Sequence, residues 1–81
     1  MTEAMIQSAI ANSVVGLTRY VMQTCGMQDA DAYRMVYDSE LFNLLSNPKT
    51  NLYLQTNAEL CRYYEVEKQS GVNALRSALV Q

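Results

Sequence analysis

The chain has 81 residues, with no histidine, no tryptophan, one proline, three glycines and two cysteines. Each scarcity removes a class of answers. Without imidazole there is no Ser-His or Cys-His nucleophile pair. Nor can the Glu-x-x-His set of a di-metal helical bundle be written. Cys25 and Cys61 make no CxxC motif and no disulfide framework. Two thiols also fall short of the four Cys or His ligands that structural zinc requires. Gly16, Gly26, Gly71 and Pro48 are too sparse to punctuate a turn-rich β protein, so long helices are expected. No glycine-rich phosphate loop and no Asn-x-Ser/Thr acceptor occurs.

Charge is equally thin. The net charge is −2, and the six basic residues Arg19, Arg34, Lys49, Arg62, Lys68 and Arg76 are spread along the chain. Phosphate-backbone binding calls for a gathered basic face, so nucleic acid is disfavoured as a partner. Glu3 is present and no Lys or Arg precedes Arg19, unlike the basic start of a signal peptide. The charge-free run Ala4–Thr18 contains Gln7, Ser8, Asn12 and Ser13, and is too short and polar to span a bilayer. A reduced, cytoplasmic protein that does not enter the membrane is expected.

What is abundant is apolar surface. Apolar residues make up 49% of the chain, with six tyrosines and five methionines. A chain this short buries only about 60–65% of the surface it exposes when unfolded. Some of this apolar content must then stay outside, and an exposed apolar patch marks a contact.

The periodicity is helical. Ile10, Val14, Leu17 and Val21 recur at four, three and four, predicting one helix from Glu3 to Cys25. Thr2 is placed as its N-cap, and Gly26 where a left-handed C-terminal residue is wanted. A second face, Ala9, Ser13 and Gly16, offers room for a close approach. Asp29 and Asp31 suit the positive start of a second helix, which carries Ala30, Tyr33 and Tyr37 on one side with Val36 beside them. Asp38-Ser39 reads as a break and a new N-cap, followed by a short helix over Glu40–Leu45. Asn47-Pro48 ends that helix, since the residue before proline avoids the α region. Lys49-Thr50-Asn51 reads as a turn and Leu52-Tyr53-Leu54 as extended. Thr56 and Glu59 form a capping box that opens a fourth helix bearing Leu60, Cys61 and Tyr64. Ser70-Gly71 either breaks this helix, which the pattern favours, or is passed through at about 1 kcal/mol.

Candidate chemistry is weighed against this frame. Asp29, Asp31 and Glu40 fall at EF-hand spacing, but Arg34 stands where that loop needs Gly. Glu65 and Glu67 are two apart on a helix and do not face each other, as a glycosidase pair must. They read as a solvated face, with Glu65 near Arg62 or Lys68. Cys25 ends a helix, so the dipole would not lower its pKa, and it is expected to be a buried or half-buried hydrophobe. Cys61 follows the start of a helix, where a modestly activated thiol is conceivable, although core packing fits better. The helices near 29–37 and 40–46 have the lengths of a helix-turn-helix. The second presents Glu40, Leu41, Phe42, Leu44 and Leu45, leaving Asn43 and Asn47 as base readers.

Three stretches taken in order, Leu17-Thr18-Arg19-Tyr20-Val21-Met22, Tyr37–Leu45 and Asn47-Pro48-Lys49-Thr50-Asn51-Leu52-Tyr53, resemble small uncharacterised bacterial proteins of about this length. Some of these are encoded near toxin-like genes. The resemblance covers residues 10–65. It implies a bacterial, cytoplasmic, all-helical protein with a possible toxin–antitoxin or phage-defence setting, and carries no site residues.

The expectation is therefore a single all-α domain over residues 1–81, a small orthogonal or bundle-like arrangement of four to five helices. The first and fourth helices should pack together, with the 29–46 pair capping them. The expected role is non-enzymatic protein interaction, including self-association as a homodimer, with no catalytic residue, cofactor or metal site. A nucleic-acid-binding or toxin–antitoxin accessory role is the alternative. The expected contact residues are Tyr33, Tyr37, Phe42 and Tyr53, in the irregular middle of the chain.

Overall fold

A computed structural model of the chain describes residues 2–80. Five α-helices follow one another: α1 Glu3–Cys25, α2 Asp29–Tyr37, α3 Glu40–Leu45, α4 Asn57–Ser70 and α5 Val72–Leu79. Two 3₁₀ turns, Pro48–Thr50 and Leu52–Leu54, connect α3 to α4. No strand occurs among the described residues, and the fold is all-α.

The caps explain the boundaries. The Thr2 side chain accepts from the Met5 N–H, and Gly26 closes α1 at φ 66, ψ 34, its N–H donating to the Met22 carbonyl. This left-handed stop costs glycine little. Ser39 accepts from the Phe42 N–H at the start of α3, and Thr56 from the Glu59 N–H at the start of α4. Only half of the expected capping box forms: the Glu59 carboxylate turns away to Arg62, at 2.9 Å. Gly71, at φ 90 and ψ 176, separates α4 from α5, in a region that essentially only glycine enters. The break is real.

One register prediction fails. Leu52-Tyr53-Leu54 is a 3₁₀ turn, not extended chain. Its entry is bent by Asn51 at φ 59, the one described non-glycine residue with positive φ. Thr50 adds to the bend, its hydroxyl donating to the Leu44 carbonyl at 2.6 Å. Local polar bonding of this kind overrides the weak alternation of three apolar residues.

The core gathers Leu17 and Val21 from α1, Ala32 and Val36 from α2, Leu41 and Leu45 from α3, and Leu60, Tyr64 and Leu75 from the last two helices. α1 packs against α2 on one side and α4 on the other, and α4 packs against α5. Ser13 is buried on the small-residue face of α1, its hydroxyl returned to the Ala9 carbonyl. At Gly16 the close neighbour is the Asn57 side chain, which would lie 2.7 Å from an added Cβ.

Glu65 and Glu67 are not a solvated face. The Glu67 carboxylate accepts from the backbone N–H of Glu40 and of Leu41, each at 2.9 Å. With Ser39 serving Phe42, three of the otherwise orphaned donors that open α3 are satisfied. Arg76 of α5 reaches the Glu40 carboxylate at 3.0 Å. The start of α3 is thus held from both C-terminal helices. Glu65 accepts from the Tyr20 hydroxyl at 2.8 Å, tying α4 to α1, and from Gln69. That hydrogen bond, with partial burial and the carboxylate charge, raises the Tyr20 pKa.

Candidate functional site

α2 buries Ala32 and Val36, which leaves its other side outward. That side carries Ala30, Tyr33 and Tyr37, as the spacing predicts, but Val36, expected beside them, turns into the core. The outward side is not covered by the rest of the fold. Tyr33 and Tyr37 are 46% and 55% exposed. Their rings stack at 6.0 Å between centroids, with 21° between planes. Phe42, half-buried on α3, continues the row, its centroid 4.8 Å from that of Tyr37. Three of the four expected contact residues therefore form one ridge across the α2–α3 junction. Such offset arrangements add about 0.5–1.5 kcal/mol per pair beyond area burial.

Tyr53 does not join the ridge. It is half-buried on the second 3₁₀ turn and packs against the core. The remaining tyrosines are structural. Tyr64 is 2% exposed, and Tyr20 and Tyr63 are half-buried.

Beside the ridge runs an open groove of about 700 Å³. Val14, Val15, Thr18, Arg19 and Met22 form its α1 wall; Asp29, Ala30 and Tyr33 form its α2 wall. It continues into a second hollow bordered by Ala11, Val15, Tyr33 and Phe42. Tyr33 lines both, so ridge and groove form one surface. The residues missed by sequence reasoning are those on α1. Ala11, Val15 and Met22 follow helical spacing on a face offset from the Ile10–Val21 stripe, and Val15 is 49% exposed. A second apolar stripe on the longest helix was the signal available.

The two charges in the groove, Arg19 and Asp29, form no ion pair with each other or with any other described residue. Asp29 Oδ1 accepts from the Ala30 N–H at 2.7 Å, steadying the start of α2. Arg34 borders the far side of the ridge, with Tyr37. Arg62 and Lys68 do not line the groove: Arg62 pairs with Glu59 and lies over the Tyr63 ring, and Lys68 lies 5.4 Å over the ring of Tyr64. In the helix-turn-helix candidate, Leu41 and Leu45 of the second helix are buried in the core.

Cys25 departs from expectation and is exposed, whereas Cys61 packs against the core as expected. Cys61 is half-buried, and burial followed by the nearby Glu65 charge pushes its thiol pKa up. That is the opposite of activation. Among the described residues, no three of His, Cys, Asp and Glu gather in a metal-binding arrangement. Nor is any described helix long and apolar enough to cross a membrane.

No protein-family model matches the chain, and neither curated proteins nor solved structures provide a match.

Proposed function

We propose that this protein is a non-enzymatic protein-interaction module whose contact surface is the Tyr33–Tyr37–Phe42 ridge with the adjoining α1 groove. The observation that supports this reading most directly is the stacked aromatic pair left about half open on a helix whose opposite side is fully buried. Amphipathic aromatic rings held rigid by their neighbours give large contact area at small cost in side-chain entropy. Here Val36 and Ala32 beneath, and Phe42 beside, fix the ridge. The groove next to it is mostly apolar, with one charge of each sign, the composition of a contact patch with a polar edge.

The test is site-specific photo-crosslinking in the native host. A benzophenone amino acid at position 33 should give a discrete protein adduct on irradiation. The same group at Asn73, exposed on α5, should give none. An adduct at 73 with none at 33 would reject this surface as the contact. A genetic setting of toxin–antitoxin or phage-defence type would be compatible with such a module, and the neighbouring genes of the host would report on it.

A further inference from the structure

We infer that the occupant of this surface is a second copy of the same chain, joined through an isologous two-fold contact in which Arg19 of each chain meets Asp29 of the other. The inference rests on the proposed role of the surface as a protein contact and names the partner. The first ground is charge. Arg19 and Asp29 line the same groove from opposite walls, and neither forms an ion pair with another described residue. A two-fold axis brings a patch against itself, so that residue i meets j and j meets i. A groove holding one cation and one anion is complementary to its own copy, and Arg34, on the far side of the ridge, lies outside it. A strongly acidic or basic partner would instead leave one of the two opposed by like charge.

The second ground is shape. The surface holds both a ridge, Tyr33 and Tyr37, and beside it a trough whose lining includes the small side chains Ala11 and Ala30. Rotation about an axis between them seats each ridge in the other's trough. The third is area. Taking roughly 200 Å² for a whole tyrosine side chain, the open parts of Tyr33, Tyr37 and Val15 and the half-covered rims of Met22 and Phe42 come to about 400 Å² per chain. A standard stable interface uses about 800 Å² per partner. The two copies together would bury about 800 Å², half of a standard interface, which fits a weak dimer that forms and dissociates with concentration.

The decisive experiment is charge complementation, read by sedimentation equilibrium at low salt, with circular dichroism to confirm that each variant is folded. The parent chain should show a concentration-dependent dimer. Arg19→Asp sets two Asp–Asp contacts across the axis and Asp29→Arg sets two Arg–Arg contacts, so each alone should dimerise about tenfold more weakly, the equivalent of a few exposed ion-pair energies. An equimolar mixture restores both opposite-charge contacts and should recover dimer as a heterodimer. Should Asp29→Arg fray α2, Asp29→Asn, which keeps an oxygen to accept from the Ala30 N–H, provides the second reading: it should weaken the dimer without loss of helix. A parent chain that stays monomeric at millimolar concentration, or folded variants that dimerise like the parent, would overturn the inference. A photo-adduct from position 33 with a different protein, together with a monomeric parent, would overturn the second copy as occupant while leaving the interaction role intact.

Discussion

Removing the Glu67 carboxylate should loosen α3 more than any change within α3's own surface. Glu67 sits on α4 and accepts two N–H groups, those of Glu40 and Leu41, at 2.9 Å each. A hydrogen bond to a charged group contributes about 1.5–3 kcal/mol. Glu40 is half-buried, so its N–H regains water when the carboxylate goes and the upper sum is not reached. We expect Glu67→Ala to cost about 2 kcal/mol, or roughly 10 °C in Tm for a domain of this size. Glu67→Gln separates the causes. Its amide has one acceptor oxygen and a donor NH₂, so one of the two N–H groups loses its partner and the cost should be about half. Because Phe42 sits on the helix so released, the near-ultraviolet circular dichroism of the Tyr37–Phe42 contact should fall alongside stability. Urea melts of the three proteins provide the measurement. Glu67→Ala within 0.5 kcal/mol of the parent, roughly the scatter of neutral surface changes, would refute the argument. So would Glu67→Gln as stable as the parent.

Other consequences can be checked with the same melts. The Tyr64 hydroxyl is buried with no hydrogen-bond partner among the described residues, so Tyr64→Phe should stabilise the fold by about 1 kcal/mol. Burial pushes the Tyr64 pKa from 10.0 up to about 12. The unfolded chain therefore loses that proton first, and stability should be level below pH 10 and fall by at most about 3 kcal/mol as pH rises from 10 through 12. The phenylalanine variant should lack that component of the alkaline loss. Gly71→Ala, placed at φ 90, should cost about 2 kcal/mol through backbone strain alone, although an added Cβ meets no atom within 4 Å. Cys25 should react with a thiol reagent well before Cys61, which burial and the Glu65 charge keep protonated. Equal rates in the folded protein would contradict this.

The helices were legible because their ends are written locally. Thr2, Gly26, Ser39, Thr56 and Gly71 each act on donors, acceptors or dihedrals within a turn of themselves, and the Ile10–Val21 stripe needs only the helical period. Tyr33 and Tyr37 could be placed on one side of α2 for the same reason. What that spacing could not say is whether the side faces core or solvent; Ala32 and Val36, smaller and less conspicuous, take the core. The roles of Glu65 and Glu67 were hidden because their partners lie on α1 and α3, far away in sequence. The same distance hid the groove, which exists only once α1 and α2 are packed side by side. Tyr53 shares the irregular middle of the chain with the ridge residues, but the turn at Asn51 carries it elsewhere.

The start of α3 is fastened by a residue that follows it by 27 positions, and again by Arg76 near the other end of the chain. During synthesis, then, the aromatic face should be the last part of the molecule to set. Nascent chains stopped short of Glu67 would carry Tyr33, Tyr37 and Phe42 without the frame that aligns them. Cross-linking of ribosome-bound fragments of increasing length would show that onset directly.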